Sequence, residues 1–553
     1  MTIEQALMRL RAADPAAQRA GLQCPLAEQI AAAGVNFAAV GGPVQDRWLQ
    51  ALAELNQCVR PLAGGPAVLH EGGTYDGCWL ESTGTISAEV LSRFAPGVAE
   101  DTFTLFARHQ RDDGLLPYKV SPEGPAYRQI QIVTPLARSV WGHYRLHHGA
   151  ESSAARGWLD TMYAAMSRND AWLARHRDTR GSGAVEAFCT YDTGHDLSPR
   201  HWFTPEHCHE GEASRYDPES ATIPYLAPDL TANVACQRTY LGRIATELGA
   251  EDAPWHRAAQ ASAAALFEHC FDATEGTFFD RDATGALVRV KSDVLMRVLA
   301  CEIGDGDFFT AALRRYLMNT TAFLSHYGFT SVAMDDPRFN GDHTRNSWAG
   351  PVNFLTQIRA PHAFDHHGHV AELALATRPV LAALLRADRF PQCLDPWSGE
   401  AGYTSSYSPA LLWLLDAVER NFGILPTPTG RIWFTSMAPT RLGGGSAARA
   451  TAYARTVAGV HYELGSDDAA SRSFRAGRPH LSFPRGWRVE TDLRGVPLAV
   501  VGLSPRPVTG VLTHEDQRWE LTLAANQRAE LDGGEVTVGS GPGFVAPRSG
   551  EGA

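Results

Sequence analysis

The chain has 553 residues, 44% of them apolar and 20% charged. That excludes intrinsic disorder and leaves room for one large repetitive domain with a smaller one beside it. The formal net charge of −12 argues against a nucleic-acid surface, which needs clustered Lys and Arg, and no apolar run of about 18 residues is present to span a membrane.

The first residues, MTIEQALMRLRAADPAAQ, read as an amphipathic helix without the apolar stretch and cleavage site of a signal peptide. Nine cysteines (positions 24, 58, 78, 189, 208, 236, 270, 301 and 393) form no CxxC pair, so neither a zinc ribbon nor a disulfide scaffold is expected. Scattered thiols without a leader point to a cytoplasmic chain. Homo-oligomerisation is left open.

Helical spacing of apolar residues recurs over Ile86–Gln110, Leu230–Leu248, Trp255–Phe271, Phe308–Phe323, Val370–Leu385 and Pro409–Phe422. Gly249 and Gly423 mark two of the helix ends. The connecting loops are long and rich in Gly, Pro, His and aromatics, as functional loops are. After Pro426 the texture changes. Short β-branched and aromatic runs predict strands over Arg431–Phe434, Val457–Leu464, Trp487–Leu493, Leu498–Leu503, Gly510–His514, Arg518–Leu523 and Glu535–Gly539. The Gly-rich stretch 441–449 reads as a loop, and 540–553 as a frayed tail. No β-α alternation supports a Rossmann or TIM fold. The pattern predicts a mainly α protein: an (α/α)6 toroid over residues 1–425, followed by a small C-terminal β-sandwich over 426–553.

Chemistry concentrates in VEAFCTYDTGHDLSPRHW, residues 185–202, which brings Glu186, Asp192, His195, Asp196 and Arg200 into one loop-like stretch. A carboxyl in a partly dry pocket keeps its proton near neutral pH and delivers it to a glycosidic oxygen. The TGHDLSPR piece resembles the acid-bearing motif ESGWDNSPR of glycoside hydrolase family 63 and its mannosylglycerate hydrolase-like relatives, with a related version in trehalases. Five further stretches resemble that family in the same order: Gly72–Ser82, Asp112–Pro117, Asp229–Asn233, Gly328–Phe339 with Ser347–Asn353, and Asp395–Gly399 with Tyr407–Leu412.

The resemblance implies an exo-acting glycoside hydrolase on a small, α-linked glycoside, inverting and cofactor-free. Asp196 falls on the general acid. Trp79, Glu81, Arg128, Gln129, Glu186, Asp229, Trp348 and Gln392 fall at the sugar subsite. Two departures stand out. Ala349 and Asn353 replace an Arg and a Trp of the family's W-R-G-P-V-W, and Gln392 occupies the place of the Glu that serves as base. An amide cannot take a proton from water, so Glu400 is the first substitute, then Asp365 and Glu372. His195, His201, His207 and His209 form one group and His362, His366, His367 and His369 another, but neither has metal-ligand spacing, so no metal is expected.

Two other classes stay open. A polysaccharide lyase or sugar epimerase would use His195, His366, His367, Tyr191, Tyr403 or Tyr407. A non-catalytic carbohydrate-binding relative would tolerate Gln392.

Overall fold

The computed structural model describes residues 3–13, 21, 25–62, 64–131, 134–147, 153–440, 442 and 447–549. Cys24 and most of the Gly-rich 441–449 stretch lie outside these residues. The other eight cysteines are buried free thiols.

Among the described residues, helices buried on nearly every side alternate with helices that keep one face to solvent. The first kind comprises Ser82–Ser87 continuing through Ala88–Leu91, then Leu136–His147, Pro228–Leu248, Val294–Leu299, Phe354–His366 and Ser408–Phe422. The second comprises Val44–Cys58, Pro96–Arg108, Ser153–His176, Ala253–Cys270, Gly306–Ala312 and Val370–Arg386. A helix without a polar face has to be wrapped by others, and a one-sided helix does the wrapping. The buried set shares a direction. Glu81, Asp229, Asp293, Asn353 and Tyr407 sit at or just before their N-terminal ends. Their C-terminal halves, with Glu89, Leu146, Tyr240, His362 and Asp416, and Arg138 from the first turn of its helix, line a cavity of about 350 Å³.

Two antiparallel sheets make up the β region. The seven-stranded sheet runs in the order 36–40, 450–457, 460–466, 470–475, 478–484, 508–514, 517–523; the six-stranded one runs 424–426, 431–435, 487–492, 497–502, 528–532, 535–538. Their inner faces share a core in which the Phe434 ring lies 5.6 Å from Tyr462 and 5.5 Å from His480.

Several expectations need correcting. The division at 425/426 does not hold at the N-terminus, because Asn36–Val40 pairs with Ala450–Ala454 as an edge strand. The Ile3–Ala12 helix seats Ile3, Leu7 and Leu10 against Ala450, Ala452 and Ala454 of that sheet. The helix expected over 86–110 is broken before Pro96, whose ring starts a new helix at its first turn. The strand expected over 457–464 straddles the Ala458–Gly459 hairpin turn. The tail is docked at Val545 and Arg548: Val545 is buried, its N–H bonds Glu372 Oε1 at 2.7 Å, and Arg548 bridges to Asn319.

Candidate active site

The loop over residues 185–202 is pinned before it reaches Asp196. Arg177 and Asp192, both fully buried, pair at 2.5 Å, and Asp192 also accepts the backbone N–H groups of Phe188 (2.8 Å) and Ile130 (3.0 Å). Gly194 follows at φ +68°, where a Cβ would lie 2.0 Å from Glu81 Oε2, so only glycine lets this turn pass the carboxylate. Asp196 stands half-buried at the crest, its carbonyl accepting Trp348 N–H at 2.9 Å. Leu197 follows at φ +56°, a strained value for a side chain that is 56% exposed.

Beneath the crest lies an ionic floor. Arg200 grips Asp229 at 2.9 and 3.0 Å and Asp280 at 2.8 and 2.7 Å. Arg297 reaches Thr193 O at 2.7 Å, Glu81 at 3.3 Å and Asp229 at 3.4 Å, and Arg359 adds a second contact to Glu81 at 3.3 Å. Burial alone would raise the Asp229 carboxyl, but the Arg200 charge and hydrogen bonds hold it well below the usual range. Burial likewise opposes ionisation of Asp293, and the neighbouring His195 and Arg297 override it. Burial, with the Arg297 charge, lowers His195 to about 3; its Nδ1 faces Arg200 at 2.6 Å and its Nε2 faces Asp293 at 2.9 Å.

The wall beside Asp196 is built from neutral groups. Asn346 Nδ2 donates to Asp196 Oδ2. Gln392 Nε2 donates to Asn346 Oδ1 at 2.9 Å, and the Tyr75 hydroxyl donates to Gln392 Oε1 at 2.9 Å. Burial, reinforced by the Glu81 charge and opposed by the Asn346 hydrogen bond, raises Asp196 to about 7. A second carboxyl, Glu71, is buried nearby and accepts from Ser82 Oγ (2.5 Å) and Tyr407 OH (2.9 Å). Burial pushes it up to about 7 against those two hydroxyls, and the charges of Glu81 and Asp196 add to the rise. Among the described residues, no cation stands within ion-pair distance of Asp196 or Glu71. Half-buried aromatics edge the wall: Tyr75 lies 5.5 Å from Trp79 and 6.5 Å from Tyr403, and Lys119 Nζ lies 5.3 Å from the Trp79 ring.

Of the residues singled out from sequence, Asp196, Trp79, Glu81, Asp229, Trp348 and Gln392 come together here, two of them in altered roles. Trp348 is 1% exposed, packed against His195 at 4.7 Å and under Arg297, so it is a buttress rather than an open sugar platform. Asp229 spends both oxygens on arginines below the site. Glu186 is elsewhere, its two oxygens held by Thr179 and Arg180. Arg128 is exposed beside Glu210 at 3.5 Å, and Gln129 faces His207 at 3.2 Å.

Glu400 is 77% exposed with His343 at 3.9 Å, a solvated position that does not suit a base. Asp365 pairs with Arg420 at 2.5 Å, and Glu372 is buried between His369 and the docked tail. The histidine groups disperse into contacts such as His362–Glu89 (2.8 Å) and His367 stacked on Phe309 (4.4 Å). Among the described residues no three potential ligand side chains converge on a metal position. His195, which a lyase would need free and accessible, is buried between Arg200 and Asp293. Glu71 and Asn346 were missed; Glu71 follows a histidine in a Gly-rich loop and Asn346 lies in an irregular polar loop, and neither carries a periodic or motif signal.

The profile of the "Mannosylglycerate hydrolase MGH1-like glycoside hydrolase domain" family matches residues 75–409. A mannosylglycerate hydrolase from Rubrobacter radiotolerans is 23% identical over 357 residues, covering 57% of this chain and 80% of that one. Among solved structures, a family 63 mannosylglycerate hydrolase from Thermus thermophilus in complex with glucose superposes with a TM-score of 0.56 at 18% identity, covering 66% of this chain and 98% of that one. A structure described as a sialidase superposes at 0.58 with 12% identity, over 82% of this chain and 41% of that one. Fold and sequence together define a glycoside hydrolase. The chain belongs to the mannosylglycerate hydrolase MGH1-like family.

Proposed function

We propose that this enzyme is an exo-acting, inverting hydrolase of a small α-linked glycoside of the mannosylglycerate type, working in an (α/α)6 toroid flanked by a β-sandwich. The observation that carries this reading is the contrast in pairing: Asp196 and Glu71 have only neutral partners, whereas the other buried carboxylates around them face arginines. Asp196, protonated near neutrality, donates to the leaving glycosidic oxygen. Glu71, uncompensated by a cation and so more basic than an arginine-paired carboxylate, takes a proton from the attacking water. Glu81, whose carboxyl burial raises against the opposing charges of Arg297 and Arg359, faces the sugar hydroxyls, and Trp79 offers a face to the ring.

Time-resolved proton NMR with α-mannosylglycerate and a panel of α- and β-linked disaccharides tests it. The expected result is a free sugar released first as the β-anomer from an α-linked substrate. An unsaturated product, or an α-anomer appearing first, would overturn the reaction class or the inverting assignment respectively.

A further inference from the structure

Gln392 stands where the family resemblance puts the base, and read alone it is a loss. Its surroundings give it different work. The residue is 4% exposed and fixed through its backbone, its N–H bonding Tyr403 O at 2.9 Å and its carbonyl accepting Phe354 N–H at 2.9 Å. Its amide oxygen is taken by the Tyr75 hydroxyl, so its NH2 edge faces Asn346 Oδ1. A primary amide carries its acceptor and its donors on opposite edges, and orientation at one amide therefore sets orientation at the next. Asn346 has its oxygen occupied and turns its NH2 edge to Asp196 Oδ2. An oxygen that accepts from Asn346 is not the one that carries a proton.

We propose that Gln392 is a positioning residue for the acid: through Asn346 it keeps an N–H on Oδ2 of Asp196 and so confines the acid's proton to Oδ1. This deepens the reading of Asp196 as the proton donor and rests on it. A glutamate at 392 has no N–H to give. It would accept from both Tyr75 and Asn346, reverse the Asn346 amide, and draw the Asp196 proton to Oδ2, away from the leaving group. Glutamine is thus the residue that suits a base located elsewhere.

The charged groups acting on Asp196 are Glu81, Arg297 and Glu206, and its charge is felt in turn by Glu71, Tyr75 and Tyr191. Glu81, Arg297, Glu206, Glu71 and Tyr191 are common to all the variants below, so a difference between variants reports on the relay.

The test is a carbon-13 titration of the Asp196 carboxyl in the full chain carrying labelled aspartate, with Asp196→Asn identifying its resonance, run beside pH profiles of kcat/KM. Asn346→Ala removes a hydrogen bond to the ionised form and is expected to raise the Asp196 titration by about one pH unit. Gln392→Ala moves it the same way by less, and the double variant matches Asn346→Ala alone, because both act through one amide. Tyr75→Phe, at a half-buried rim position, gives a smaller shift of the same sign. Gln392→Glu lowers kcat at pH 7 by about tenfold or more.

An unmoved titration in Asn346→Ala, additive effects of Asn346→Ala and Gln392→Ala, or a Gln392→Glu enzyme faster than the parent would each overturn the proposal. The last would make position 392 a vacated base. The titration needs no turnover, so a chain that hydrolyses none of the glycosides yet shows these shifts loses the substrate reading and keeps the relay.

Discussion

The floor and the wall of this site contain the same chemical group and prepare it for opposite work. On the floor, Asp229 is locked to Arg200 and Glu81 faces Arg297 and Arg359. In the wall, Glu71 is buried and Asp196 half-buried, with an amide or hydroxyls as their only close partners. Burial pushes each of these carboxyls upward; at Asp229 the Arg200 charge reverses that push, at Glu81 Arg297 and Arg359 oppose it without reversing it, and at Asp196 and Glu71 neutral donors only trim it. Asp229 is therefore fixed as an anion, while Asp196 and Glu71 are both raised to about 7, where a group can lose and regain a proton. On the proposed reading the floor gives shape and the wall exchanges protons.

That division can be broken by substitution. Asp196→Asn should lower kcat by about 10²–10⁴-fold or more while sugar binding by calorimetry is kept; full activity would remove the acid assignment. Glu71→Gln should lose at least about a hundredfold in the same assay, and Glu400→Gln next to nothing. A dead Glu400→Gln beside an active Glu71→Gln would return the base to the exposed loop. On the floor the expected damage is to folding. Arg200→Ala leaves Asp229 and Asp280 buried without their common cation and should cost about 3–5 kcal/mol in denaturant unfolding.

The wall makes a finer prediction with a definite sign. A carboxyl raised on folding binds its proton more tightly in the native state, so its contribution favours the fold below about pH 4 and is lost as pH rises through about 7. Asp196→Asn should therefore raise Tm relative to the parent by more at pH 8 than at pH 5. Equal differences at the two pH values would mean Asp196 is not raised. Smallest of all, Leu197→Asn should stabilise by up to about 1 kcal/mol, since asparagine visits the left-handed region more readily and the exposed leucine side chain has little packing to lose.

Periodicity made much of the helical region legible, because helices such as Pro228–Leu248 and Ser408–Phe422 carry an apolar excess that any reading finds. Others, such as Ser153–His176, place Arg, Asn and Asp among their apolar positions and blur the pattern. The N-terminal edge strand Asn36–Val40 could not be assigned to its sheet, since its partner at 450–454 is more than 400 residues away and pairing over that distance leaves no local mark.

Asp196, the proposed acid, was singled out by its motif. Glu71 and Asn346 were not, since their importance is conferred by Tyr407, Ser82 and Gln392 closing around them in space. Trp348 shows the converse. Its neighbours in sequence suggested a sugar platform, and burial under Arg297 makes it a support.

The most direct test of the central claim is the pH dependence of kcat/KM for the parent enzyme and Asp196→Asn. If Asp196 must be protonated and Glu71 ionised, the parent gives a narrow bell centred near pH 7, the two limbs belonging to a coupled pair. The residual rate of Asp196→Asn then rises through the acid side and stays level above pH 7. A parent profile that is flat from about pH 5 to 9, or a variant whose rate still falls on the basic side, would contradict the account.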